Sequence, residues 1–142
     1  RSIQQKAKMP SQESFKKTVM EERVSLYKVA DLQRIEHIRD YCASIQSTIL
    51  RCQNSYEIFE SDLDFQYSIS FSILQIGELS GKLSEEFRSR FSDRIPWRQI
   101  KDMGNFLVHN YGSVDLLMTW ETAVGNIPEL LAFCEEILRA QP

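Results

Sequence analysis

Apolar residues recur every three or four positions along much of the chain, which is the spacing of one face of an α-helix. The first such segment runs from Val29 to Cys52, and polar residues occupy its other side. Four shorter segments follow, and they begin at Ser84, Pro96, Ser113 and Pro128. Serine is a favoured N-cap and proline fits the first helical turn, so we expect a helix to begin at each of these positions.

Residues 62–83 fit two patterns. Apolar and polar residues alternate over 63–73, which is typical of a strand. Phe65, Ile69 and Ile73 also lie on one face of a helix. Because the segment is longer than the roughly 3–10 residues of an ordinary strand, we favour a helix.

Short connections between these segments predict an all-α fold, an up-and-down bundle of four to five helices. Residues 1–22 are polar and show no clear period, so we expect a flexible tail there. The chain of 142 residues is then organised as this tail over 1–22 and one helical domain over 23–142.

The formal net charge is −3 at pH 7, but charge is distributed unevenly along the chain. Residues 1–20 carry five basic groups and one acidic group, and residues 82–101 carry six basic and three acidic groups. The second segment lies within an otherwise acidic domain. It is either a solvated face or a local phosphate-binding patch, because an acidic protein can still hold a polyanion at one site.

The composition argues against several other classes of protein. No apolar run approaches the roughly 20 residues that span a bilayer, so we expect no membrane association. The cysteines Cys42, Cys52 and Cys134 are widely spaced, which favours reduced core thiols in a cytoplasmic protein. We expect neither a metal nor a cofactor, because the sequence has no ligand cluster at metal spacing and no glycine-rich phosphate loop.

One predicted helix carries a polar stripe opposite its apolar face. The residues of the stripe are Arg98, Lys101, Asn105 and His109. A histidine can move a proton at a 2′-hydroxyl or at a leaving oxygen, and a neighbouring cation can hold the phosphate. This is a minimal set for phosphodiester cleavage without a metal, although such a pair of asparagine and histidine on a helix is more often structural.

Three blocks of the sequence resemble a known family. Residues 95–111 read IPWRQIKDMGNFLVHNY, residues 74–78 read LQIGE, and the third block runs from Trp120 to Leu130. In this order they resemble the HepT-like family of the HEPN superfamily, over about residues 29–140. The resemblance implies an all-α, HEPN-like bundle that forms a homodimer or a higher oligomer, and it favours a helix in the ambiguous segment.

The resemblance also implies a function. Members of the family are metal-independent endoribonucleases that act as toxins in toxin–antitoxin pairs, and the antitoxin is a nucleotidyltransferase of the MntA type. The family motif is arginine, four residues, histidine, one residue and tyrosine. His109 matches the histidine and Asn105 the polar residue after the arginine, which assigns both to RNA cleavage, with Arg98 and Lys101 as candidates to bind RNA phosphate. Tyr111 matches the tyrosine that the antitoxin modifies by AMPylation to silence the toxin.

Gly104 stands at the position of the family arginine. Glycine supplies no charge and costs about 1 kcal/mol relative to alanine inside a helix, so we expect no stabilising reason for its presence. Three explanations stay open: a natural member without catalysis, a form attenuated to permit production, or a substitute cation from Arg98 or Lys101 across the dimer. We expect an RNase toxin that is inactive or attenuated. The alternative is a non-catalytic helical dimer that binds a nucleotidyltransferase-type partner.

Overall fold

The structure, a computed structural model, describes residues 27–109 and 115–140. These residues form seven α-helices and one π-helical segment, and they contain no β-strand. In chain order the elements are α1 (Val29–Arg51), α2 (Tyr56–Glu60), α3 (Leu63–Lys82), α4 (Glu85–Arg90), α5 (Trp97–His109), α6 (Leu116–Glu121), the π-helical segment (Thr122–Asn126) and α7 (Ile127–Arg139). The predicted all-α fold class is confirmed.

The long helices predicted from the apolar period are present. α1 and α3 match the first predicted segment and the ambiguous one, which is a helix. α4 begins directly after Ser84, as predicted. The tail predicted over residues 1–22, the helix start at Ser113 and the position of Tyr111 lie outside the described residues.

Four of the helices pack as an up-and-down bundle. α3 lies between α1 and α5, and α1 also contacts α7. Thr48 near the end of α1 meets Ser68 near the start of α3, with 3.2 Å between the two hydroxyl oxygens, so these helices run in opposite directions. α3 and α5 are antiparallel as well. α3 is therefore the central helix of the bundle. Its contact with α5 fixes where α5 lies.

The core contains the three cysteines. Cys42, Cys52 and Cys134 are free and buried. Burial raises the pKa of all three thiols, that of Cys134 to about 12. Each thiol therefore stays protonated at neutral pH and packs as a small apolar side chain, which agrees with the prediction of reduced core thiols.

The structure differs from the sequence prediction at two places. α2 is not predicted, because five residues are too few to show a helical period; its N-cap is Ser55, whose hydroxyl accepts a hydrogen bond from the Ile58 backbone N–H at 3.3 Å. The helix predicted to start at Pro128 is α7, which begins one residue earlier at Ile127, but the π-helical segment before it is not predicted. The π-helical segment joins α6 to α7 without a break, and Pro128 lies in the first turn of α7.

A buried carboxylate connects the start of α1 to the start of α4. Asp31 is 2% exposed. It accepts hydrogen bonds from the Ser84 backbone N–H at 2.8 Å and from the Ser84 hydroxyl at 2.6 Å. The Ser84 oxygen in turn accepts a hydrogen bond from the Phe87 backbone N–H at 3.1 Å, which caps α4. Asp31 thus holds the N-cap of α4 in place.

Replacing Asp31 with alanine is expected to lower the free energy of unfolding by about 2–3 kcal/mol, because two hydrogen bonds to a charged group are lost and the Ser84 N–H is left without its acceptor. Urea denaturation followed by circular dichroism measures the change. Asp40→Ala is the matched control, since Asp40 is exposed and its ion pair within the described part of the chain is with its neighbour Arg39. The free energy of unfolding of that variant should lie within about 0.5 kcal/mol of the parent value. Equal losses in the two variants would contradict the role given to Asp31.

An ion pair fixes the segment that precedes α5. Arg94 donates to both carboxylate oxygens of Glu136 on α7, at 2.6 and 2.9 Å. This hydrogen bonding lowers the pKa of Glu136. The Arg94 guanidinium also lies over the Phe133 ring, 5.2 Å from its centroid. These contacts fix the segment before α5 against α7.

Candidate functional site

α5 carries the polar stripe predicted from the sequence. Arg98, Lys101 and Asn105 are exposed, whereas Trp97 is buried. His109 is the last residue of α5, and its side chain lies outside the part of the chain that the structure describes. The structure thus brings Arg98, Lys101 and Asn105 together on the helix that ends at His109.

Gly104 lies on a different side of α5, in the contact with α3. It is buried against Gly77: a Cβ atom added to Gly104 would lie 3.1 Å from the Gly77 Cα. A Cβ atom added to Gly77 would lie 2.9 Å from the Gly104 Cα. The structure therefore supplies a packing reason for Gly104 that the sequence does not show. The missing side chain lets the backbones of α3 and α5 approach closely, and we expect this contact to offset the low helix propensity of glycine.

A second glycine of α3 leaves room for Lys101. A Cβ atom added to Gly81 would lie 3.4 Å from both Cδ and Cε of Lys101. The aliphatic part of the lysine therefore lies against the α3 backbone, although the residue as a whole is exposed. This contact restricts the directions in which the ammonium group can point.

The exposed face of α5 borders an open groove of about 660 Å³, which we call the α5 groove. It is lined by residues of α4, of α5 and of the connection between them, most of them within the basic segment 82–101. Three of its side chains are basic and two are acidic, so its formal charge is +1. The charged and amide residues of the groove are Glu85, Arg88, Arg98, Lys101, Asp102 and Asn105.

Two further residues of the groove are not identified by the sequence pattern. Trp97 is predicted only as a core residue, and its ring does pack against Phe87 and Phe133, with centroids 6.3 and 5.8 Å apart. It also lines the groove, as does Arg88. The Trp97 Nε1 and the Arg88 Nε are buried and have no hydrogen-bond partner among the described residues. The local excess of basic residues could have pointed to Arg88, but no sequence signal marks an unpaired indole.

Comparison with known proteins gives the family. The sequence model of the family described as "Ribonuclease HepT-like" matches residues 31–137. The chain belongs to this HepT-like ribonuclease family. The protein named "Putative RNase TTE0752" from Caldanaerobacter subterraneus subsp. tengcongensis is 33% identical over 107 residues, which are 75% of this chain and 93% of the relative. "Probable ribonuclease HepT" from Thermococcus cleftensis is 32% identical over 82 residues, which are 58% and 74% of the two chains. No solved structure gives a match.

The HepT-like chain presents hydrogen-bond donors and cations at its candidate site. Within residues 27–109 and 115–140, no group of three or more histidine, cysteine or carboxylate residues is arranged to hold a metal ion. None of the helices in these ranges is both long enough and apolar enough to cross a membrane. What the α5 groove offers to a ligand is the guanidinium groups of Arg88 and Arg98, the Lys101 ammonium and the Asn105 amide.

Proposed function

We propose that this HepT-like chain is the ribonuclease toxin of a toxin–antitoxin pair and that it cleaves RNA without a metal. Its activity is attenuated, because Gly104 stands where the family has arginine. The observation that carries the proposal is the placement of Arg98, Lys101 and Asn105 along one groove, on the helix that ends at His109. Membership of the family and the names of the relatives support RNA as the substrate.

His109 is the proton-transfer residue in this proposal. It accepts the proton of a 2′-hydroxyl, the 2′-oxygen attacks the adjacent phosphorus, and the bond from phosphorus to the 5′-oxygen breaks. The leaving 5′-oxygen takes up a proton, so the products carry a 2′,3′-cyclic phosphate and a 5′-hydroxyl. Arg98 and Lys101 bind RNA phosphate, and Asn105 donates to its oxygens. An arginine at position 104 would add a cation for the charge that develops in the transition state, and its absence lowers the rate.

Replacing His109 with alanine is expected to reduce RNA cleavage by about 10²–10⁴-fold, because the general acid–base group is lost. The measurement follows the products from a mixed RNA pool in the presence of a chelator. Both the parent chain and its Gly104→Arg form are used as backgrounds, so that a low parental rate does not hide the effect. His37→Ala is the control, since His37 is the other histidine of the chain and is exposed on α1. The ribonuclease proposal fails if neither background cleaves RNA, or if His109→Ala cleaves as fast as its parent.

The alternative is a non-catalytic helical dimer that binds a nucleotidyltransferase-type antitoxin, and the absence of the arginine at Gly104 favours it. In that case Gly104→Arg stays inert on RNA while folded, and binding of the partner does not depend on His109.

Both functions have an MntA-like nucleotidyltransferase as the partner. Tyr111 is its proposed AMPylation site, because an added phosphate and nucleoside near His109 would exclude RNA by charge and volume.

The proposal includes a homodimer, and an apolar stripe on α3 supports it. Leu63, Tyr67 and Phe71 follow one another at intervals of four residues, and 60%, 49% and 54% of their surfaces are exposed. Large apolar side chains grouped in this way are typical of a surface that another protein covers. Because α3 also contacts α5, a second copy on this stripe would join two motif-bearing helices in one assembly.

A further inference from the structure

We propose that a cavity between α5 and the π-helical segment binds a nucleobase, with the apolar ring against buried aliphatic side chains and the polar edge at the Gln99 and Asn126 amides. The cavity has a volume of about 180 Å³ and also borders α3 and α7. The function proposed above makes no use of it.

The first observation is the size of the cavity and its apolar lining. Protein interiors contain few voids larger than a water molecule. An apolar cavity of about 150 Å³ is already large enough to hold benzene. The cavity therefore has room for an aromatic ring. The buried residues that line it are all aliphatic: Ile73, Ile76, Ile95, Ile127 and Leu130.

The second observation is a pair of amide side chains at the mouth of the cavity. Gln99 on α5 and Asn126 at the end of the π-helical segment line the cavity and are exposed. Asn126 directly precedes α7, but its side chain makes no capping hydrogen bond to that helix. Each amide carries an acceptor oxygen and two N–H donors. The two side chains can therefore bind an edge that presents both donors and acceptors.

The third observation is that the cavity offers no free cation. Its charged residues are Arg94 and Glu129, so its formal charge is zero. The Arg94 guanidinium is already bound to the Glu136 carboxylate at 2.6 and 2.9 Å. A phosphate or a carboxylate is therefore not favoured there.

These observations together select a nucleobase among possible ligands. A nucleobase is uncharged and flat, its two faces are apolar, and hydrogen-bond donors and acceptors alternate along its edge. Asparagine and glutamine are the side chains that pair with the N6 and N7 atoms of adenine in nucleic-acid recognition. We therefore expect the cavity to accept adenine.

The wall of the cavity departs from regular helix where this ligand would bind. Thr122 and Asn126, the first and last residues of the π-helical segment, both line the cavity. π-helical turns are rare and often occur at functional sites. The irregular turn thus coincides with the proposed site.

The position of the cavity indicates an RNA strand as the source of the base. Ile95 and Pro96 line both the cavity and the α5 groove. A strand bound in the α5 groove can therefore place one unpaired base past Pro96 into the cavity, and unpaired bases are the usual targets of sequence-specific RNA recognition. Gln99 lies roughly 15 Å from His109 along the axis of α5, so the bound base is away from the cleaved bond. This source rests on the proposed ribonuclease function, whereas the base site itself does not.

Titration of the full chain with adenosine tests the base site. Met103 lines the cavity and Met118 does not, so the methyl resonance of Met103 reports on binding and that of Met118 is the internal reference. Adenosine should shift the Met103 signal, and ribose 5-phosphate, which lacks the base, should not. The site is wrong if adenosine leaves the signal unchanged or if ribose 5-phosphate shifts it as well. Benzene that binds as tightly as adenosine would also overturn it, because the polar edge would then contribute nothing.

The two amides are tested by substitution. Gln99→Ala and Asn126→Ala are each expected to weaken adenosine binding about 3- to 10-fold, since each removes one hydrogen bond. Both residues are exposed, so we expect both variants to fold. Gln33→Ala is the matched control, because Gln33 is an exposed amide on α1 and outside the cavity. If both variants bind adenosine as tightly as Gln33→Ala does, the assignment of the amides is wrong.

A short single-stranded 2′-O-methyl oligoadenylate tests the strand as the source, because its blocked 2′-oxygen prevents cleavage. It should shift the Met103 signal, and Gln99→Ala should weaken its binding. A shift with adenosine but not with the oligonucleotide would overturn the strand as the source and leave a site for a free base. None of these measurements needs cleavage, so the His109→Ala result decides the ribonuclease function independently.

Discussion

Replacing Gly104 with arginine is expected to raise RNA cleavage by about 10²–10³-fold, which is the usual effect of one preorganised group that stabilises transition-state charge. In the proposed function the arginine would complete the motif with His109 and Tyr111. Cleavage of a mixed RNA pool in the presence of a chelator measures the gain. A Gly104→Arg protein that is folded and dimeric but inert would favour the non-catalytic binding function.

The same substitution has a structural cost, because position 104 lies in the contact between α3 and α5. A Cβ atom there would lie 3.1 Å from the Gly77 Cα, so the helices must separate by a few tenths of an ångström. We expect the free energy of unfolding to fall by about 1–2 kcal/mol. Gly104→Ala is the matched control, because it adds the same Cβ atom without a charge. It should lose no more stability than Gly104→Arg and gain no cleavage, and an equal gain in cleavage in both variants would show that charge is not the cause.

Gly77→Ala is expected to lower the free energy of unfolding by about 2 kcal/mol, although alanine is the better helix former by about 1 kcal/mol. The added Cβ would lie 2.9 Å from the Gly104 Cα, 3.1 Å from the Ile100 carbonyl oxygen and 3.3 Å from the Gly104 nitrogen. All three are backbone atoms, which cannot rotate away as the end of a side chain can. Urea denaturation measures the loss.

Two other glycines of the chain provide controls for Gly77→Ala. At Gly81 the three atoms nearest to the new Cβ would all belong to the flexible Lys101 side chain, and at Gly125 the new Cβ would meet nothing within 4 Å. Both alanine variants should be neutral or stabilised by up to about 1 kcal/mol. If the three variants lose stability equally, the close approach of α3 and α5 is not the reason that position 77 requires glycine.

The helices were predictable where the apolar period extends over many turns. α1 and α3 are long enough for spacings of three and four residues to repeat, and length favoured a helix over a strand in the second case. α2 has five residues and shows no period. The π-helical segment Thr122–Asn126 has a different repeat, so a pattern with a period of 3.6 residues cannot predict it.

The candidate site was predictable only as far as it is local to one helix. Arg98, Lys101 and Asn105 lie on one face of α5 because helical geometry fixes their relative directions. The role of Gly104 depends on Gly77, which belongs to another helix. The unpaired donors of the groove likewise come from two helices, and only packing reveals that they lack partners. Contacts of this kind need the tertiary structure, since no single segment contains them.

Gly77 has no functional group, but its contact with Gly104 lets position 77 influence which residue the proposed ribonuclease motif can carry at position 104. A Cβ atom at either position would meet the backbone of the other, so a side chain at position 77 would further restrict the space for a side chain at position 104. We therefore expect Gly77 to be permissive for an arginine at position 104, and we expect substitutions at the two positions to be epistatic. A chain that has lost the arginine but kept Gly77 is one substitution away from the complete motif. A chain that has also lost Gly77 must first reverse that change.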